Sequence, residues 1–536
     1  MIEVLEDSVD VLEIIREKDI QPDHKVMLLS ELAPSVIHVL EDGDRENKGF
    51  GEGPKPSVVS MVHDDILALI FEIGASGELA GPHCTFATTV SHVTRRWRNM
   101  ALTTPRLWTR TWCSKSLHDD DDASDVYDDY DDYGDPIRGP YSEGEIDRFS
   151  TFLSRSMSMP VEIHLQYFHS SDFAGDKGAA LSQLIVSHIG HCSHLHITGG
   201  EAWGMQKLIH LISDKSAPLM SSIQLGVDLQ YGMADYAECI AALPALSCAP
   251  NINSVQLRGD EEYLPFLSSM TSLRHITALQ FHGIYTDDLL ERSSFQKTLL
   301  EMEALDYLEM AVDWHGPQFN PPLMLPTIRS LKILHGSINH IHAPLVTTLS
   351  LDERPMMQMH SGMEAALLTR FPSLKHLILT SLSLKIPRLD TIARSFPGIE
   401  RLTCCFDCPS TQKGPQFDIG LIFTVIIGAS AIPGTLCWPK LRTLAVSALS
   451  ERISLHSRKV YNGISMVQEA GHPISKLMLP RIGSCGMPHV PGMPEANEKA
   501  MAELRKIIEV GEFSTDWPEP FVRSSFDTSL EWYVSK

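Results

Sequence analysis

Leu374-Lys375-His376-Leu377-Ile378-Leu379 is the stretch whose reading decides the fold. Its spacing is apolar-x-x-apolar-x-apolar. The same spacing recurs at Cys192/Leu195/Ile197, Met220/Ile223/Leu225, Ile252/Val255/Leu257, Ile276/Leu279/Phe281, Leu305/Leu308/Met310, Ile328/Leu331/Ile333 and Val346/Leu349/Leu351. Beyond the quoted stretch it returns at Ile399/Leu402/Cys404, Leu441/Leu444/Val446 and Ile474/Leu477/Leu479. One such hexad is weak evidence in an apolar-rich chain, but eleven of them at intervals of 18 to 42 residues form a repeat. A unit of this size cannot bury its apolar side alone, so neighbours must stack into one continuous core.

The hexad resembles the part of a leucine-rich repeat that lays a short strand on the inner wall of a solenoid. Helix-like segments such as Gly362–Thr369 and Asp390–Ser395 separate most hexads. The resemblance implies strand–helix units, and several intervals fall near the roughly 20–29 residues of such repeats. The interval of 18 residues leaves no room for a helix, and the longest ones imply surface insertions. The Asn that usually forms the repeat ladder is mostly absent, which argues for an irregular array.

Ahead of the repeats lies Val62-His63-Asp64-Asp65-Ile66-Leu67-Ala68-Leu69-Ile70-Phe71, and then Phe86 to Trp108. Val62, Ile66, Leu69 and Ile70 recur at helical spacing, with Asp64 and Asp65 where a helix start favours carboxylates. Gly74 and Gly77 can stop this helix. Phe86, Val90, Val93, Trp97 and Ala101 fall on one face of a second helix. Thr104-Pro105 ends it, and Leu107 and Trp108 follow as apolar anchors. Two short helices of this kind need each other and a partner.

This stretch resembles an F-box, and more closely the F-box-like proteins of mushroom-forming fungi. The usual opening is Leu-Pro-x-Glu-(Ile/Leu)-Leu-x-x-Ile-Phe. Ile66, Leu67, Ile70 and Phe71 match it, Val62 and Asp65 take the Leu and Glu places, and His63 stands where Pro is usual. The second half resembles Val-Cys-Arg-x-Trp-Arg-x-Ile-Ala-Leu-x-Thr-Pro-Arg-Leu-Trp, with Thr94 in the Cys place. The resemblance implies docking to the Skp adaptor of a cullin-based ubiquitin ligase, with apolar anchors in a groove. The residues expected to carry it are Val62, Ile66, Ile70, Phe71, Val93, Trp97, Leu102, Pro105 and Trp108. Some of them must instead hold the two helices together. The solenoid would then hold an unknown protein substrate. The alternative is a protein-interaction scaffold whose F-box-like hairpin assembles no ligase.

The expected fold class is therefore α/β, a small helical F-box followed by an irregular leucine-rich-repeat-like solenoid. The expected order is a helical N-terminal extension over 1–48, a Gly/Pro-rich linker over 49–61, the F-box-like domain over 62–112 and an acidic mobile loop over 113–144. The solenoid follows over 145–494, and a C-terminal helix with a capping tail over 495–536. Within the loop, ten Asp residues lie between Asp119 and Asp135, with Tyr127, Tyr130 and Tyr133 among them. Such a run repels itself and is either solvated or a site for a basic partner; its spacing does not match a calcium-binding EF-hand loop. Val161, Ile163 and Leu165 alternate with Glu162 and His164 as in a strand. Glu495–Val510 reads as an amphipathic helix, and Trp517, Phe521, Phe526, Trp532 and Tyr533 as an aromatic tail folded over the last repeat or taken by a partner.

Composition limits the rest. Hydrophobic residues make up 43% of 536, enough for a large core, and the net charge of −24 argues against nucleic acid and anionic membranes as partners. Ile419–Pro439 carries no charge, but its strongly apolar part is too short for a bilayer of about 30 Å. The ten Cys are irregularly spread, which suits a reducing compartment, cytoplasmic or nuclear. His188, His191, Cys192, His194 and His196 invite a metal reading, as do His335, His340 and His342, and Cys404, Cys405 and Cys408 a redox one. None has a second ligand pair nearby, and Cys192 and Cys404 are already repeat positions. No phosphate loop, nucleophile elbow or His-Glu-x-x-His pair occurs. The expectation is a non-catalytic receptor without cofactor or metal.

Overall fold

The computed structural model describes residues 62–77, 86–114, 143–166, 175–200, 202–227, 240, 243–244, 246–258, 263–285, 289–313, 322–336, 338–359, 362–382, 389–405, 420–427, 437–447, 458–479, 501–518 and 520–521. The expected N-terminal extension and linker, nearly all of the acidic loop, Cys408, residues 480–494 at the end of the expected solenoid and the tail beyond Phe521 lie outside these residues. The chain divides into two units, Met1–Ser221 with Val522–Lys536, and Ser222–Phe521.

The first unit opens with α1 (Asp64–Gly77), α2 (Phe86–Val93) and α3 (Arg95–Thr103), followed by a 3-10 turn at Pro105–Trp108. The periodicity predicts one helix from Phe86 to Ala101, whereas the structure breaks it at Thr94. That residue is extended (φ −142°), and its hydroxyl accepts a hydrogen bond from the Trp97 backbone N–H at 3.1 Å. The side-chain cap satisfies an N–H that a new helix start would otherwise leave unpaired. The break turns Val93 out of the apolar stripe, to 46% exposure. Thr94→Ala should lower the stability of this unit by about 1 kcal/mol; an unchanged midpoint in urea denaturation would mean the cap contributes nothing.

Gly74 does not stop α1, which runs through it to Gly77. The residue is needed for a different reason: a Cβ there would lie 2.2 Å from the Phe86 ring, so glycine lets α2 close on α1. Leu67, Phe71, Ala87, Val90, Trp97, Ala101, Leu107 and Trp108 make the core between the three helices. The Phe71 and Trp97 rings meet edge-on at 5.0 Å. The core continues into α4 (Glu143–Ser156), whose Phe152 ring packs edge-on against Trp108 at 4.9 Å.

The described residues of this unit also form three parallel strands, β1 (Arg110–Ser114), β2 (Val161–Gln166) and β3 (Cys192–Gly200), in that order. Strand β1 reaches into the segment expected to be loop. The hexad search misses it because Thr111 takes the central apolar place, pairing with Ile163. Trp108, Thr111 and Cys113 are nevertheless all buried. Glu162 and His164 lie on the face opposite Ile163 and Leu165, as expected, but His164 is not exposed. Its ring is stacked between Trp112 at 3.7 Å and His196 at 4.2 Å.

In the second unit every hexad becomes a strand. β4 (Ser222–Val227), β5 (Ser254–Arg258), β6 (Ala278–Tyr285), β7 (Tyr307–Asp313), β8 (Ser330–His335) and β9 (Thr348–Leu351) are followed by β10 (His376–Leu379), β11 (Arg401–Cys404), β12 (Thr443–Val446) and β13 (Lys476–Leu479). All pair in parallel in sequence order. The central hexad residues stand in one row: Ile223, Val255, Leu279, Leu308, Leu331, Leu349, Leu377, Leu402, Leu444 and Leu477. Each is buried. A one-residue slip would throw the whole row to the other face, so burial fixes the register.

The missing Asn ladder has a backbone substitute. From β5 to β12 the carbonyl just before each strand accepts two N–H groups from the next repeat: Thr277 takes Asp306 and Tyr307 at 3.0 Å each, and Lys375 takes Glu400 at 2.7 Å and Arg401 at 3.1 Å. This pairing needs no particular side chain, so it leaves no trace in the sequence.

Helices or turns between strands cover one face, as where Phe295 of the helix Leu289–Glu301 meets Phe281 at 5.3 Å. The C-terminal reading needs correction. The chain turns after Leu504, and Glu509–Glu512 forms β14, pairing with β13 so that Val510 stands beside Leu477. Leu504 and Ile508 are buried as the helix pattern suggested, but Ile508 leads into a strand because the sheet edge offers unpaired backbone groups. Among the described residues no helix is long and apolar enough to cross a membrane.

Candidate functional site: two interaction surfaces

The first surface is the outer side of the helical hairpin. Leu67 and Phe71, one turn apart, face inward, while Ile66 and Leu69 on the other side of α1 are 46% and 51% exposed. Val93 and Leu102 are also exposed. The structure thus sorts the nine residues expected at an interface. Phe71, Trp97 and Trp108 belong to the hairpin's own core, and Val62 and Ile70 pack partly against it. Ile66, Val93 and Leu102 are exposed, and Pro105 is intermediate. Leu69, on the same helical stripe as Ile66, was left out of the expected set although the periodicity contains it.

Polar groups fix the hairpin's geometry. Arg96 of α3 donates from Nε to Asp64 at 2.9 Å and from its second guanidinium nitrogen to the Val62 carbonyl. Arg106 pairs with Glu72 at 3.1 Å. His63, in the usual Pro place, uses its carbonyl to accept the N–H groups of Ile66 and Leu67, so α1 starts without proline.

The second surface is the face of the second unit's sheet opposite the helices. Side chains alternate along a strand, so Leu308 and Met310 point to the core while Tyr307 and Glu309 point to this open face. Glu309 organises a network there. Its Oε1 accepts from Gln280 at 3.0 Å and lies 3.0 Å from His282 Nε2 and 3.2 Å from Lys332 Nζ. Its Oε2 accepts from the Tyr307 hydroxyl at 2.9 Å. Burial alone would raise this carboxyl. The Lys332 charge, His282 and the Tyr307 hydrogen bond outweigh it and hold the group well below the usual carboxylate range. The Tyr307 hydroxyl is pushed far up by burial and the neighbouring carboxylate, so it stays a donor.

A segment of the chain lies on this face. After β14 the Phe513 N–H donates to the Leu479 carbonyl at 2.7 Å. Arg401 then takes the Asp516 carboxylate and the Ser514 carbonyl. Trp517 Nε1 donates to the Tyr307 hydroxyl at 3.0 Å, and the Trp517 and Phe521 rings meet Tyr307 at 5.4 and 5.2 Å. The aromatic tail therefore does not stop at the last repeat; it passes back across the open face to β7. Only tertiary structure unites Tyr307, Glu309, Arg401 and Trp517; the sequence marks Trp517 as part of the aromatic tail and gives no signal for the other three.

The His and Cys clusters have local explanations. His188 Nδ1 and His191 Nε2 lie 3.0 Å apart, and burial lowers both rings. Burial pushes the Cys192 thiol up to about 12 and Cys404 higher still, so neither is a ready nucleophile. Burial would raise the Glu162 carboxyl, yet the His164 ring, 3.8 Å away, and the Arg110 charge bring it to about 2. Among the described residues, no three or more His, Cys, Asp or Glu are grouped to hold a metal ion.

No family model matches the chain, and no curated protein matches it. Among solved structures the chain is similar to the leucine-rich repeat-containing protein LegL7 from Legionella pneumophila, at 14% identity and a TM-score of 0.33. The match covers 59% of this chain and 99% of that one. A likeness this slight carries no inference about function.

Proposed function

We propose that this protein is a non-catalytic substrate receptor of a Skp–cullin–F-box type ubiquitin ligase. The hairpin docks the Skp-type adaptor, and through it a cullin, by burying Ile66, Leu69, Val93 and Leu102. The open sheet face holds a protein substrate. The observation that supports this reading most is the division of the hairpin's apolar residues into a closed inner core and a separate exposed set. The resemblance of Val62–Trp108 to the F-box supplies the partner. The receptor's contribution is positional, because it raises the local concentration of substrate lysines at an enzyme carried elsewhere.

The test is capture of a purified Skp-type adaptor by the full chain. Each apolar anchor, when fully buried, contributes about 1.5–3 kcal/mol, so Ile66→Asp with Leu102→Asp should weaken capture by roughly a hundredfold or more. Helicity should be unchanged, because both positions are exposed. Undiminished capture by that double variant would count decisively against the reading. His63, which stands in the Pro place of the resembled pattern at the start of α1, favours a second reading: an interaction scaffold whose hairpin assembles no ligase. Failure of the wild-type chain to bind any Skp-type adaptor is its outcome.

A further inference from the structure

We infer that the open face of the second unit is a receptor for an extended peptide bearing a carboxylate followed directly by an aromatic residue, and that Phe513–Phe521 is the chain's own occupant of that site. This deepens the proposed role of the sheet as substrate receptor and rests on it.

Three observations carry the inference. Over its described residues after Glu512 the occupying segment forms no helix or strand and lies on the sheet as an adaptable peptide does, with Phe513, Thr515 and Trp517 half-buried while Ser514, Asp516 and Pro518 are exposed. Its two anchors are generic chemistry that another chain could supply. Arg401 grips a carboxylate and a backbone carbonyl, and Tyr307 offers a ring face and a hydroxyl to an indole. The groups that receive it are held in place without it. Tyr307 is fixed by its hydrogen bond to Glu309, which Gln280, His282 and Lys332 hold in turn, and Arg401 Nε lies 3.3 Å from the Thr403 hydroxyl. A preorganised pair of anchors loses little entropy on binding.

The tethered segment competes at an effective concentration on the order of millimolar, as short flexible connections do. An external ligand must therefore either exceed it in contacts or meet a chain whose own segment has been released. Asp516 sits at φ 47°, in the left-handed region that aspartate adopts more readily than most residues, and its N–H donates to the Ser514 hydroxyl at 3.0 Å.

The experiment uses the full chain and a fluorescein-labelled peptide of the segment's own sequence, Phe-Ser-Thr-Asp-Trp-Pro-Glu-Pro-Phe. Anisotropy titration should show at least tenfold tighter binding to Asp516→Ala/Trp517→Ala than to the wild type. Adding Arg401→Ala or Tyr307→Phe to the released chain should lose most of that gain. A peptide with Asp replaced by Ala, or Trp by Ala, should bind the released chain at least tenfold more weakly than the parent. The peptide variants test the same contacts without touching the protein fold. Equal affinity for wild-type and released chains, or equal affinity of all the peptides, overturns the inference. Adaptor capture by the hairpin uses a different probe, so its failure and this one are told apart.

Discussion

Trp108→Ala should destabilise the first unit by about 3–5 kcal/mol, the range for removing a large aromatic from a sealed core. Trp108 has no exposed surface. Its indole donates to the Ala101 carbonyl at 2.8 Å, Phe152 packs on it edge-on, and the Arg155 guanidinium lies 4.4 Å from the ring centroid. One side chain thus joins α3, the 3-10 turn and α4. Its loss leaves a cavity and takes one of two donors from the Ala101 carbonyl, which keeps the Thr104 N–H at 3.3 Å. Hydrogen exchange read over 86–114 and 143–166 is the measurement. Protection should fall in both stretches in the variant, because one ring holds both. Loss confined to the helical hairpin would mean that the hairpin core is independent of α4. Adaptor capture should fall as well, but through unfolding, unlike the exposed-face variants, which keep their helicity.

The second large effect is expected at Glu309. Glu309→Ala removes the acceptor shared by Gln280, His282, Lys332 and Tyr307 and leaves a half-buried cation and a buried hydroxyl without it. Breaking a buried, hydrogen-bonded charge pair costs about 3–5 kcal/mol; Lys332 keeps some solvent contact, which puts the expectation near about 3 kcal/mol. The pH dependence has a definite sign. The folded carboxyl is held below its unfolded value, so its contribution is complete above the unfolded value of 4.5 and is lost as pH falls toward the folded one. The wild type should therefore lose stability between about pH 5 and pH 2 more steeply than Glu309→Ala. Denaturation midpoints at pH 7, 4 and 3 decide it: parallel curves for the two proteins would show that the network carries no pH-linked stability.

The repeats were legible because burial of a strand in a stacked array imposes a local rule. The hexad centred on Leu377 and the other ten each became a strand, and the central residues of the ten in the second unit stand in one row. The rule failed where a polar residue held the apolar place, as at Thr111, and where a strand borrowed apolar residues already read as helical, as at Glu509–Glu512. The hairpin was legible in outline. Its periodicity placed α1 and the Phe86–Ala101 stretch, but gave no account of the break at Thr94, because a hydroxyl capping a backbone N–H is a choice between two local bonds of similar strength.

By itself, then, the sequence determined the class of fold: period-two strands at repeat intervals, a helical pair before them, and apolar residues enough to join neighbours. Those are properties of near neighbours along the chain, where a pattern and its cause sit in the same few residues. Which hairpin residues face inward, what holds the open face, and where the aromatic tail comes to rest were decided by tertiary structure alone. Ile66 and Phe71 are equally apolar on paper, and Trp517 and Tyr307 are far apart in sequence. Only packing decides which side of the helix is sealed and brings the other pair into hydrogen-bond contact.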